Sequence, residues 1–97
     1  MMSIVNLAWA FRQAAGSPED KLVLIVLADR AIAKEVDASG GFVASVARVA
    51  NMTPDETEAS LRRLLDRGLI EHQERVRDRH AHWRLAIGDG PLRGGER

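Results

Sequence analysis

The chain has 97 residues, with 14 Lys+Arg against 14 Asp+Glu and no cysteine, so its formal charge at pH 7 is zero. That length holds one core and leaves no room for a second, and the lack of cysteine excludes disulfides, thiolate metal sites and cysteine nucleophiles. The longest apolar run, LVLIVLA at 22–28, falls far short of the roughly 20 residues of a membrane span, and no basic stretch precedes an apolar one at the N-terminus. A soluble, cytoplasmic protein without a membrane partner is expected.

Residues 4–15 place Ile4, Leu7, Ala8, Phe11 and Ala15 at steps of three and four, the spacing of a short amphipathic helix, with an extended arm as the alternative, and Gly16 ends it. Trp9 is expected in the core. This helix packs on the body or forms a dimer contact. Ser17-Pro18-Glu19-Asp20 is a helix start: a hydroxyl cap, a proline whose missing N–H costs nothing, and two acids at the positive end of the dipole. The helix is expected to run to about Ala33, apolar nearly all round and therefore central; a β-strand is the competing reading of LVLIV, and the cap and the following Ala-rich stretch favour helix. Residues 36–41 (VDASGG) read as a loop, Phe42-Val43 as a very short strand, and 44–50 as a short helix.

Asn51-Met52-Thr53 reads as a turn, since Asn tolerates left-handed backbone best among non-glycine residues. Thr53-Pro54-Asp55-Glu56 has a cap, a first-position proline and a Glu three residues later, which is a capping box. The helix 54–67 follows, closed by Gly68. Its wheel puts Thr57, Leu61 and Leu64 on one side, flanked by Ser60 and Leu65. Asp55, Ala59, Arg62 and Asp66 lie opposite, flanked by Glu58 and Arg63.

The period then changes to two. Residues 69–76 and 81–87 form two strands around Arg77-Asp78-Arg79-His80, a β-hairpin with Trp83 in its inward register. The tail 88–97 has four Gly and one Pro and is expected to be disordered, leaving a single domain at 1–87.

The zero net charge is a sum over opposite halves. Residues 1–61 carry five cations against eight acids, net −3; residues 62–84 carry seven against four, net +3. Twelve of the fourteen cations are Arg, whose planar fork suits phosphate and base edges; a high-GC genome produces the same bias.

A short helix, a tight turn and an amphipathic helix make a helix-turn-helix pattern, and the hairpin that follows would be its wing. The expected class is α+β, mainly helical: an N-terminal helix, a long central helix, the helix-turn-helix and a C-terminal hairpin. On NLAWAF (6–11), KLVLIVLADRA (21–31), GGFVASVARVANMTPDET (40–57), LRRLLDRGLIE (61–71) and HWRLAI (82–87), the chain resembles the winged helix-turn-helix domain of phage and plasmid replication initiators and related phage regulators.

The resemblance implies binding to double-stranded DNA, with helix 54–67 in the major groove and the wing along the backbone or an adjacent minor groove. Carried over by position, Asp55, Glu58, Ala59 and Arg62 would face base edges, and Arg63 would lie near phosphate. Thr53 would meet phosphate through its hydroxyl or the helix N-terminus. Arg75, Arg77, Arg79, His80 and His82 would be the wing contacts. The implied role is a phage- or plasmid-type regulator, or a replication or recombination accessory. Initiators of this type usually continue into a further domain, so the chain is expected to be either a stand-alone regulator or a part of a longer initiator. The acids at 55, 56 and 58 depart from the Arg, Ser or Thr usual at this helix start.

The competing class is a protein-interaction winged helix, such as a phage accessory or an inhibitor of host machinery or defence, holding a protein partner through helix 54–67. No enzyme, cofactor or metal is expected. The serines at 17, 39, 45 and 60 suggest no His–acid partner, Gly40-Gly41 lacks the Lys-Ser/Thr of a phosphate loop, and His72, His80 and His82 form no tight ligand cluster.

Overall fold

The computed structural model describes residues 4–38, 40–75 and 80–87, with the backbone alone at 73–75 and 80–82. In chain order the elements are α1 (Ile4–Arg12), α2 (Pro18–Arg30), β1 (Glu35–Asp37), α3 (Phe42–Ala50), α4 (Pro54–Asp66), β2 (Ile70–Arg75) and β3 (His80–Leu85). The class is α+β and mainly helical. Among the described residues there are four helices and one antiparallel sheet of three strands, ordered β1-β3-β2.

α2 is central, as its all-round apolar sequence demands. Val23, Leu24, Val26, Leu27 and Ala28 are buried, and α1, α3 and α4 all pack against this helix. Trp9 and Ala10 of α1, Val46 of α3, and Leu61 and Leu64 of α4 complete the core with Val36, Ile70 and Leu85 of the sheet. Each large side chain withdrawn from water contributes about 1.5–3 kcal/mol.

The two starts read from sequence form as read. Ser17 Oγ accepts from Asp20 N at 3.1 Å. Thr53 Oγ accepts from Glu56 N at 3.1 Å while Thr53 N donates to Glu56 Oε1 at 2.8 Å. α1 is clamped at both ends. Asn6 Nδ2 donates to the Ala33 carbonyl at 2.7 Å. Lys21 Nζ donates to the carbonyls of Phe11 and Gln13, each at 2.5 Å, where the helix leaves carbonyls unpaired.

Three boundaries differ from the sequence reading. α2 stops at Arg30, not Ala33: Ala31 is already extended, and Ala33 takes a left-handed φ of 58° in a turn bridged by Ile32 and Glu35. Residues 35–37, of which 36 and 37 read as loop, are the strand β1. Its partner is β3, with Val36 opposite Trp83, so a nonlocal ladder makes a strand of three residues that carry no period of their own. Phe42 and Val43 are not a strand; they open α3, which follows a left-handed Gly41 directly. The hairpin forms as β2 and β3, with Ile70 opposite Leu85 and Arg75 opposite His80. The tail 88–97 lies outside the described residues.

Candidate nucleic-acid interface

α3 and α4 are joined by residues 51–53. Asn51 sits at φ 59°, and Met52 N reaches back to the Ala47 carbonyl at 2.9 Å, the bond that closes a helix through a left-handed residue. α4 closes in the same way at Gly68, φ 77°, with Leu69 N bonded to the Leu64 carbonyl at 3.1 Å. Two short, hydrogen-bonded corners therefore fix α4 between α3 and the hairpin. α4 buries Thr57, Ser60, Leu61 and Leu64. Thr57 Oγ donates to the Thr53 carbonyl at 3.0 Å, so its hydroxyl is satisfied inside.

The opposite side of α4 carries Asp55, Glu58, Arg62 and Asp66, all exposed, with Ala59 half-buried among them. Thr53 is exposed at the start, and its side chain already caps the helix. Leu65, expected to flank the buried row, is 38% exposed. It joins Val43, Leu61 and Trp83 in a groove of about 210 Å3 that Glu58 and Arg62 border. α4, the start of α3 and β3 meet there.

Arg63, expected near phosphate, makes an ion pair within the fold. Its Nε lies 2.9 Å from Asp20 Oδ2 and its guanidinium NH2 2.8 Å from Asp20 Oδ1, a two-pronged ion pair between α4 and the first turn of α2. Ser60 Oγ donates to the same Oδ1 at 2.6 Å. Asp20 is 2% exposed and Arg63 51%. The Arg63 bonds hold the Asp20 carboxyl below its ordinary value against the opposing pull of burial; the Ser60 and Ser17 bonds act in the same direction as Arg63. The carboxylate in turn raises the Arg63 pKa.

Asp20 and Ser60 were not among the functional candidates read from sequence, where Asp20 served only the α2 dipole. A weak signal existed. Ser60 interrupts the buried row of α4 and Arg63 follows at i+3, on the same flank. Their partner is 40 and 43 residues away, beyond any local pattern.

In the hairpin, the register sets Arg75 opposite His80 and Gln73 opposite His82. Alternation puts positions 75, 80, 82 and 84 on one sheet face. The same face holds Glu71, which approaches Arg84 at 3.8 Å, and by register Glu35 and Asp37 of β1. His72 lies on the other face, its ring 4.7 Å from that of Trp83 and tilted at 55°. Arg77 and Arg79 lie outside the described residues. The structure thus sets Glu58 and Arg62 beside the groove, with Asp55 exposed nearer the start of α4, and turns Arg63 toward α2. Among the described residues no group of three metal-ligating side chains occurs, and no helix is long and apolar enough to cross a membrane.

Comparison with family models, with curated proteins and with solved structures finds no match for this chain.

Proposed function

We propose that the chain is a winged helix-turn-helix domain that binds double-stranded DNA. The order α2-β1-α3-α4-β2-β3 with sheet order β1-β3-β2 carries this reading. It sets an exposed helix face directly ahead of a β-hairpin, the arrangement in which a recognition helix enters the major groove and a wing follows the backbone. In this role Arg62 reads a base edge and Asp55 and Glu58 accept from cytosine amino groups, the only major-groove donors on a G·C pair. The arginines at 75, 77 and 79 grip phosphate. A regulatory or replication-accessory role in the cytoplasm is what the resemblance stated for the sequence would imply, and it is part of this proposal.

The Arg63–Asp20 pair favours a second reading. With Arg63 neutralised from within, the outward side of α4 offers three acids, at 55, 58 and 66, against Arg62. That face suits a basic protein partner better than a polyanion.

Selection of bound duplexes from a random pool tests the first reading. A preferred site should emerge, and Arg62→Ala should lose about tenfold or more in affinity for it, the worth of one base contact. Arg77→Ala should weaken binding to every sequence and flatten the salt dependence. A pool that shows no enrichment, or an Arg62→Ala protein that binds the site as well as the parent, counts against it.

A further inference from the structure

Two hollows lie along the flank of α4 that is turned toward α2. One, of about 410 Å3, is lined by the apolar Leu22, Ala50 and Met52 and bordered by Glu19 and Glu56. The other, of about 420 Å3, runs from the same two carboxylates to Arg63 and Arg67. Because they share Glu19 and Glu56, the hollows form one trough with an apolar end, an acidic middle and a basic end. Leu22, at 41%, is the one large apolar side chain of α2 that the fold leaves exposed.

The charges of the trough are positioned but only partly used. The Arg67 guanidinium fills the place where a β-carbon at Gly16 would stand, so it is seated on the bare backbone of that residue, whose φ is 98°. Among the described residues this guanidinium makes no hydrogen bond or ion pair, and neither does the exposed Glu19 carboxylate. Glu56 spends Oε1 on Thr53 N and keeps its second oxygen. Arg63 binds Asp20 through Nε and one terminal nitrogen and keeps the other. We infer that the trough docks an extended segment of another protein that carries an acidic side chain, a basic one three to five residues away, and an apolar one next to the basic one. The spacing follows from α4. At about 1.5 Å per residue, Arg63 and Arg67 lie roughly 10 and 16 Å along the helix from Glu56, and an extended chain covers that in about three to five residues.

Charge decides the occupant. A polyanion laid along the trough meets the carboxylates of 19 and 56, and Asp20 already neutralises one of its two guanidiniums. A purely basic segment leaves Arg67 unmatched. A segment with both signs in this order satisfies both ends, and its apolar side chain covers Leu22 and Met52, shielding the adjacent ion pairs from water. The outward side of α4, with Asp55, Glu58 and Arg62, stays uncovered. This site is therefore separate from the face proposed to meet DNA or a basic partner.

A displayed library of random dodecapeptides, selected on the full chain without DNA, tests this. Enriched sequences should pair Lys or Arg with Asp or Glu three to five residues away, and a synthetic peptide of that consensus should shift the backbone amide resonances of Gly16, Glu19 and Leu22. Arg67→Gln and Glu19→Gln should each weaken that peptide about tenfold, the worth of a charge-assisted hydrogen bond. Arg67→Lys keeps the charge and should retain most of the binding. Positions 19 and 67 are exposed, so the far-UV spectra should not change. No enrichment, enrichment for one sign of charge alone, or equal binding by Arg67→Gln would overturn the proposal. A peptide lost on Asp55→Asn/Glu58→Gln but kept on the trough variants would overturn it while supporting a partner on the outward side of α4. Self-association of the chain that Arg67→Gln abolishes would give the trough to a second copy and overturn it as well. None of these measurements involves DNA, so the trough and the DNA-binding function stand or fall separately.

Discussion

A carboxylate as enclosed as Asp20 needs charge and donors around it. It has them in Arg63, Ser60 and the Ser17-capped turn of α2. Asp20→Asn keeps the shape and removes the charge, leaving Arg63 without its partner. We expect a loss of roughly 1–3 kcal/mol in a urea melt. The sign with pH follows from the lowered pKa. The stabilisation is complete above the carboxylate's unfolded value, near 3.8, and disappears as pH falls through the lower folded value. Melting temperature should therefore drop more steeply with acid below about pH 4 in the parent than in Asp20→Asn. Parallel acid profiles would show that the pair is not formed in solution.

The helix starts illustrate what a sequence discloses at the scale of elements. Ser17-Pro18 and Thr53-Pro54 write their caps in adjacent residues, and both caps are found where read. β1 was illegible because a three-residue strand has no period, and because the turn before it uses Ala33 rather than glycine at positive φ. Its existence depends on β3, some fifty residues later. The candidate face of α4 was legible for the same reason as its core face: one helical wheel yields both. The engagement of Arg63 was not, because its partner sits on another helix.

α4 supports two predictions. Leu64→Ala removes a fully buried side chain where α4 meets the core and should cost about 2–5 kcal/mol by denaturant unfolding. Asp55→Asn/Glu58→Gln removes two exposed charges without touching the capping pair, Thr53 and Glu56. Each carboxylate a few ångströms from phosphate repels it by about 1 kcal/mol in water. Nonspecific duplex affinity should therefore rise by up to about thirtyfold at low salt, with stability unchanged. An unaltered affinity would place α4 away from the backbone of bound DNA.

On the whole molecule, zero net charge conceals an acidic first part and a basic region at 62–84. The fold softens that division. Arg63 is spent on Asp20, and Glu71 draws near Arg84. The cations of this region left for a polyanion are therefore Arg62, Arg67 and those of the hairpin, against acids at 55, 58 and 66. Few phosphate contacts are then available per copy, and a modest salt slope is expected in place of a steep one.

The most direct measurement is the affinity of the chain for a random-sequence duplex across a salt series. DNA binding through Arg62 and the wing predicts micromolar dissociation constants near 50 mM salt, weakening by about tenfold to fiftyfold at 200 mM as two or three counterions per copy are released. Absence of binding at 50 mM would contradict it, and would leave the acidic face of α4 as a surface for a protein partner.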